Sequence, residues 1–291
     1  MCGIFAIINS DSVQLSQKQI QNASVSGMPR GPEQTEEKSM QQVEFIFHRL
    51  AINGLDSISM QPITIDNVTL ICNGEIYNYQ ELYNLHPNIK PQTNSDCEII
   101  IHMYLLYGMK RTLQMLDGVF AFVLHHYDYN DGNSDKMYYG RDPFGVRPLY
   151  KYENFSEETA NFYSIASELK VLSSLMGKKA NNCIHPVTPG TFTKLEKPFK
   201  VHSQWKITNR DERFFSINYH PNVLQNIFPG DHAIVNACKS IYQNLVNAVK
   251  KRVIGTTDRP VACLLSGGLD SSLIASIVSK YVPELHTFSI G

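Results

Sequence analysis

The sequence predicts an α+β fold: a layered sandwich of sheets and helices, followed by the opening of an α/β domain. Three observations carry this. Up to Leu195 the apolar residues fall mainly in short runs of strand length, with only two or three helical patterns between them. From Ile234, apolar residues recur at three- and four-residue steps. Beyond them comes a strand, glycine turn, helix, strand succession. With 291 residues, 43% of them hydrophobic, the chain has apolar material for one large or two modest domains at ~100–200 residues each.

Gly3 to Asn9 reads as a buried strand, and Ser10 to Lys38 as a polar, loop-rich stretch interrupted by Pro29 and Pro32. Val43 to Ile52 and Val68 to Cys72 read as strands, the second ended by an Asn73-Gly74 turn. Tyr77 to Leu85 looks helical. Ser95, with Glu98 three residues on, has the form of a helix N-terminus; Ile99 to Tyr107 continues it and Gly108 ends it. Gly118 to His126 is a strongly apolar strand, and Asp128 to Asp135 a polar turn. Lys136 to Tyr152 reads strand, turn, strand around Asp142-Pro143-Phe144-Gly145. Phe162 to Ala166 is a strand feeding a helix over Ser167 to Leu175, and a last strand follows Pro189-Gly190 to Leu195. Asn209 to Asp231 is polar and irregular. Ile234, Cys238, Ile241, Leu245, Val249 and Val253 mark an amphipathic helix. Val261 to Leu265 is a strand, Ser272 to Lys280 a helix, and His286 to Ile290 the start of another strand.

These elements divide the chain into a first domain over 2–200, a linker over 201–232 and an incomplete second domain over 233–291. The formal net charge of −1, with no basic stripe, argues against nucleic acid or a membrane surface as partner. No apolar stretch reaches the ~18 residues of a membrane span, and the N-terminus lacks the pattern of a signal peptide. The six cysteines form no C-x-x-C pair and no His cluster completes a zinc spacing, so no metal site and no organic prosthetic group are expected, and a reduced cytoplasmic location is the default. A homodimer is compatible with these features.

Five short motifs carry candidate chemistry. Removal of Met1 would leave Cys2 with a free α-amine, which titrates near ~8 and can serve a neighbouring thiol as general base. Taken alone, Cys2 reads more simply as a core cysteine. In His48-Arg49-Leu50-Ala51-Ile52, Arg49 can grip a carboxylate bidentately, or can be an ordinary surface arginine at a strand end. In Asn73-Gly74-Glu75-Ile76-Tyr77-Asn78, a side-chain amide beside a glycine N–H can form an oxyanion hole, or simply a hairpin turn. Asp96, after Ser95, can take a substrate ammonium or belong to a plain helix cap. Gly140-Arg141-Asp142-Pro143-Phe144-Gly145 is a tight turn with a charged pair.

In order, Met-Cys-Gly-Ile-Phe, Arg-Gly-Pro, His-Arg-Leu-Ala-Ile, Gln61-Pro62, Asn-Gly-Glu-Ile-Tyr-Asn, Ser-Asp-Cys-Glu and Gly-Arg-Asp-Pro-Phe-Gly-Val-Arg-Pro-Leu-Tyr resemble the class II glutamine amidotransferases, which are N-terminal-nucleophile hydrolases. The resemblance runs from Cys2 to about Leu195. It implies an αββα sandwich that hydrolyses glutamine to glutamate and ammonia. Within it, Cys2 would be the nucleophile, and Asn73 (side chain) and Gly74 (N–H) the oxyanion donors. Arg49 would bind the glutamine α-carboxylate, Asp96 and Glu75 its α-ammonium, and Leu50, Ala51, Ile52 and Asn53 would line the pocket. One departure from the family's pattern stands out: Pro29, not histidine, precedes Arg30-Gly31-Pro32, so a changed loop near the nucleophile and weaker glutaminase activity are expected.

A sixth motif, Ser266-Gly267-Gly268-Leu269-Asp270-Ser271-Ser272, follows a strand and opens a helix, the context of a phosphate-binding loop. It lacks a Walker lysine and resembles the PP-loop of ATP-pyrophosphatases, where by the same resemblance Leu265 and Ile290 would flank adenosine. A glutaminase and a PP-loop in one chain resemble the asparagine synthetase family. The implied partners are glutamine, aspartate and ATP with Mg²⁺, and the implied product is asparagine. About 60 residues follow Gly230, short of the ~100–200 of an α/β domain, so the chain alone is expected not to make asparagine. Other readings are a second amidotransferase with a class II glutaminase, a further PP-loop amidotransferase, or a glutamine-binding regulatory remnant without turnover.

Overall fold

The computed structural model describes residues 1–9, 15–40, 42–127, 134–154, 162–177, 183–199, 203–217, 231–255 and 258–290. The chain divides into two compact units, Met1–Ser216 and Ile217–Gly291. In chain order the first unit contains β1 (Gly3–Ile8), α1 (Gln17–Gly27), β2 (Gln34–Met40), β3 (Val43–Arg49), β4 (Ile63–Ile65), β5 (Val68–Ile76), α2 (Tyr79–Leu85) and α3 (Ile99–Met115). It continues with β6 (Gly118–His126), β7 (Ser134–Arg141), β8 (Tyr150–Asn154), β9 (Phe162–Ala166), α4 (Leu169–Met176), β10 (Ile184–Pro186), β11 (Thr191–Pro198) and β12 (Lys206–Arg213). The second unit contains α5 (Asp231–Gly255), β13 (Ala262–Leu264), α6 (Leu269–Val278) and β14 (His286–Phe288).

The first unit is a mixed α/β structure built on two six-stranded sheets, ordered β10-β8-β9-β1-β3-β2 and β12-β11-β7-β6-β5-β4, with antiparallel pairing throughout. Strand periodicity explains how both faces of each sheet are covered. In β1, Ile4, Ala6 and Ile8 join Phe45, Phe47, Ile71, Val123 and Trp205 in the space between the sheets. The alternate residues Phe5 and Ile7 join Ala23 of α1 and Leu172 and Leu175 of α4 on the opposite face. Every residue of β1 is therefore buried, which is why its sequence reads as a continuous apolar run. On the second sheet, Leu70, Phe120, Phe122 and Leu124 pack against Ile100, Met103 and Leu113 of α3. Each such side chain, fully removed from water, contributes on the order of 1.5–3 kcal/mol.

Four local expectations are corrected. The stretch from Ser10 is not all loop: α1 begins at a Ser16 cap whose hydroxyl accepts from Gln19 N–H while Gln19 Oε1 accepts from Ser16 N–H, and β2 follows it. Asn73-Gly74 is not a turn. β5 runs straight through it to Ile76, with Asn73 opposite Ala121 and Gly74 opposite Phe120. Gly108, at φ 72°, kinks α3 without ending it, and helical residues continue to Met115. The polar sequence from Asn209 is in strand as far as Arg213, on the sheet edge where polar side chains meet water. The Asp128 to Asp135 turn lies largely outside the described residues.

In the second unit β13 and β14 are parallel, with α6 between them in sequence, and Val249 of α5 packs with Ile277 and Val278 of α6. No helix among the described residues is long and apolar enough to cross a membrane.

Candidate active site

Strand parity places the central groups. Asn73 is two residues beyond Ile71, so its side chain emerges on the face between the sheets, where Cys2, just before β1, packs against the same core. One cavity there is lined by Cys2, Arg49, Leu50, Ala51, Ile52, Asn53, Asn73, Gly74, Glu75 and Asp96. The structure thus brings together, around one space, all the residues that the sequence offered for glutamine. Ser59, Gln61, Ser95, Cys97 and Arg147 line it as well. Of these, Gln61, Ser95, Cys97 and Arg147 lie inside motifs quoted above. Ser59 carries no signal that sequence reasoning could have used.

Cys2 is half-buried. Its thiol donates to the Leu50 carbonyl at 3.3 Å, and the Leu50 N–H donates to the sulfur at 3.4 Å. Burial pushes the thiol above its usual range, while the Leu50 N–H and the positive N-terminus and Arg147 pull it back down. Arg30 Nε donates to the Cys2 carbonyl at 3.0 Å. This bond shows how the Pro29 loop is built. Pro29 sits in a single 3₁₀ turn, Met28–Arg30, directly after α1. Gly31 then passes so close to β3 that a Cβ there would lie 2.2 Å from the His48 carbonyl oxygen. The Arg-Gly-Pro step therefore needs its glycine for close approach, and Arg30 stays on the nucleophile's backbone.

The amide of Asn73 is 1% exposed, and its Nδ2 has no hydrogen-bond partner among the described residues. A buried donor left unpaired costs about 1–3 kcal/mol, so its retention in a cavity beside a thiol points to a ligand oxygen as the missing partner. Gly74 cannot carry a side chain: a Cβ would meet the Val119 carbonyl oxygen at 2.7 Å and Phe120 Cα at 2.8 Å. Gln61 fixes the strand just before the amide, its Oε1 accepting from Cys72 N–H at 2.6 Å and its Nε2 donating to Cys72 O at 3.1 Å.

Charged groups line the same cavity. Arg49 Nη2 donates to the carbonyls of Gly54 and, at 2.8 Å, Asp56. Both bonds use Nη2; among the described residues Nη1 and Nε make none, and each can donate singly to a carboxylate. Asp96 is 5% exposed and accepts from Ile76 N–H at 2.6 Å. Burial, reinforced by the Glu75 charge, raises its carboxyl to about 7, against the pull of the Ile76 N–H and Asn53.

Asp142 explains the Gly-Arg-Asp-Pro-Phe-Gly turn as a scaffold. Its carboxylate accepts from Phe144 N–H at 3.1 Å, Val146 N–H at 2.9 Å, Arg147 N–H at 3.0 Å and Phe120 N–H at 3.3 Å. The turn is thereby tied to β6, and Arg147 is held where its guanidinium reaches Met1 Sδ. With Met1 in place the free space is ≈ 40 Å³.

The Ser266 to Ser272 segment forms the turn after β13 and the first turn of α6. Gly267 adopts φ +79°, a conformation open to glycine at no steric cost. Ser266 Oγ lies 3.0 Å from Ser271 Oγ, and Ser271 donates to the Gly268 carbonyl at 3.1 Å. Ser266, Gly267, Gly268, Leu269, Asp270 and Ser272 are exposed, and so is Ile290; Leu265 is half-buried, its N–H donating to Phe288 O at 2.8 Å. Among the described residues no group of three or more His, Cys, Asp or Glu side chains is arranged to hold a metal ion.

A family model described as a glutamine amidotransferase domain matches residues 1–196, and one described as asparagine synthase matches residues 240–291. The chain is 38% identical over 312 residues to an asparagine synthetase [glutamine-hydrolyzing] of Bos taurus and 37% identical over 313 residues to that of Homo sapiens. It is 33% identical over 304 residues to a probable asparagine synthetase [glutamine-hydrolyzing] of Acanthamoeba polyphaga mimivirus. Each match covers all of this chain and 52% of the relative, so the chain spans about half the length of the curated relatives it matches.

Proposed function

The chain belongs to the glutamine amidotransferase domain family, and from that premise we propose that its first unit is a cysteine glutaminase that releases ammonia from glutamine. The observation that carries this reading is the buried, unpartnered Asn73 amide in the same cavity as the Cys2 thiol. Once Met1 is removed, the freed α-amine of Cys2 takes the thiol proton and the sulfur attacks the side-chain carbonyl carbon of glutamine. The oxygen gains the negative charge and is met by Asn73 Nδ2–H and Gly74 N–H. The amine returns its proton to the departing nitrogen, ammonia leaves, and water hydrolyses the thioester to glutamate, restoring the thiol. Arg49 grips the α-carboxylate, and Asp96 with Glu75 receives the α-ammonium. Both charged ends are held, and the amide is presented to sulfur.

The second unit takes ATP on the Ser266 to Ser272 turn. Its exposed hydroxyls and the helix N-terminus after Gly268 suit phosphate oxygens, and Leu265 and Ile290 flank the adenosine. Mg²⁺ enters with ATP and offsets phosphate charge. The full reaction of the protein to which this chain corresponds is glutamine-dependent asparagine formation: ATP adenylates the aspartate β-carboxylate, and ammonia displaces AMP.

The decisive experiment measures glutamate released from glutamine by the protein with Met1 removed, beside Cys2→Ala. Glutamate formation that vanishes in the variant supports the reading. Saturable glutamine binding without glutamate would replace it with a glutamine-sensing role.

A further inference from the structure

The far end of the sandwich holds a second cavity, of ≈ 350 Å³. β1 runs from Gly3, beside the nucleophile, to Ile8, which pairs with Val43 in the wall of this second space. At about 3.3 Å per residue the two cavities lie roughly 15–20 Å apart, and among the described residues none lines both.

The inner wall is polar and buried: His125, Asp135, Lys197 and Trp205 are 5%, 1%, 8% and 1% exposed. Lys197 Nζ lies 3.6 Å from Asp135 Oδ2 and 5.7 Å from the centre of the Trp205 ring. His125 stands on edge against that ring at 5.3 Å, its Nε2 4.0 Å from Asp135 Oδ2. Two buried nitrogens in this wall, Trp205 Nε1 and His125 Nε2, have no hydrogen-bond partner among the described residues. The indole N–H can only donate, so what this nitrogen lacks is an acceptor.

The charges specify what kind of acceptor. Lys197 and Asp135 offset one another. His125 is neutral: burial drives it down to about 3, with the positive Lys197, His126 and Lys38 adding to the effect. Asp66 is exposed to water at the rim, where its field is screened. Lys38, half-buried, donates to Thr64 Oγ1 at 2.5 Å and keeps further donors for a ligand. With Asp66 screened by water, the space thus has the positive charge of Lys38, a vacant N–H and an apolar wall that includes Met40 and Val43. We propose that this cavity binds a small organic anion with an apolar or aromatic body, Lys38 supplying the charge and Trp205 Nε1–H the hydrogen bond.

Trp205 is the single tryptophan of the chain, so its indole N–H gives one resonance in a ¹⁵N correlation spectrum. Benzoate is the probe and benzamide, the same shape without charge, the control. Benzoate is expected to move this resonance saturably and to bind at least about tenfold more tightly than benzamide, with Lys38→Met removing the difference. Glutamine hydrolysis by Lys38→Met is expected to match the parent, since Lys38 is remote from Cys2. No saturable movement, equal binding of benzamide, or undiminished benzoate preference in Lys38→Met would each overturn the assignment.

Discussion

The Cys2 sulfur and the backbone of Leu50 hold one another at 3.3 and 3.4 Å, thiol to carbonyl and N–H to sulfur. The two contacts respond oppositely to ionisation. A thiolate keeps the N–H bond and is repelled by the carbonyl, so deprotonation both activates the sulfur and frees it to turn toward substrate. Cys2→Ala is expected to keep its fold by circular dichroism and lose glutamate release by more than about a thousandfold, a ~4 kcal/mol rise in barrier.

Asn73→Ala separates a catalytic amide from a structural one. Its Nδ2 has no partner in the folded chain, so truncation is expected to leave the thermal midpoint within about 2 °C of the parent. The turnover number should fall by about 10²–10³, ~3–4 kcal/mol, with KM for glutamine changed less than about threefold. A large stability loss with intact turnover would remove Asn73 from the oxyanion role.

Met1 lines the cavity that glutamine must enter. Protein that retains it, identified by intact mass, is expected to show neither glutamine binding by calorimetry nor glutamate release. Trimming Met1 should restore both together, because one step clears the space and frees the amine.

Asp96 makes glutamine binding depend on pH. Its carboxyl is raised to about 7, and only the ionised form attracts the substrate ammonium. In Cys2→Ala, the Kd for glutamine is expected to weaken by about tenfold per pH unit below 7 and to level off above it. Asp96→Asn should bind more weakly at every pH and lose this slope. The stability linkage follows the same sign: a raised carboxyl stabilises the fold fully below its unfolded value near ~3.9, and that contribution is lost as pH rises through about 7. A Kd that is flat across this range would show that Asp96 does not pair with the ammonium.

Gly31→Ala tests the close approach of the Arg-Gly-Pro step to β3. A Cβ 2.2 Å from the His48 carbonyl oxygen forces backbone movement, with an expected loss of ~1–3 kcal/mol in denaturant unfolding. Arg30 should shift with it, so glutamate release should fall even where the protein remains folded.

The sequence makes the strands of this fold legible because β1, β5 and β6 are covered on both faces and read as apolar runs. It misleads at Asn73-Gly74, where hairpin chemistry is locally favoured but nine paired positions with β6 outweigh it. The α1 signal, Ser16 with Gln19, lies in a polar window without a strong apolar stripe, so the cap is visible but the helix is not. Within the cavity, motif residues are legible because their chemistry is unusual. Ser59 enters only because the chain folds it there. The second cavity is invisible in sequence, since Lys38, His125, Lys197 and Trp205 share no local pattern and meet only across the two sheets.

The register of β5 against β6 has a consequence for how preparations of this protein should be judged. Side chains alternate along a strand, so sliding β5 by one position would turn Asn73 into the helix-facing layer and bring Cys72 or Gly74 to the place it vacates. Such a species could be folded, monodisperse and spectroscopically close to native, yet have no amide to offer the substrate. Glutamate released per mole of titratable Cys2 then becomes a measure of conformational homogeneity, reporting the fraction of molecules in which this one pair of strands is aligned.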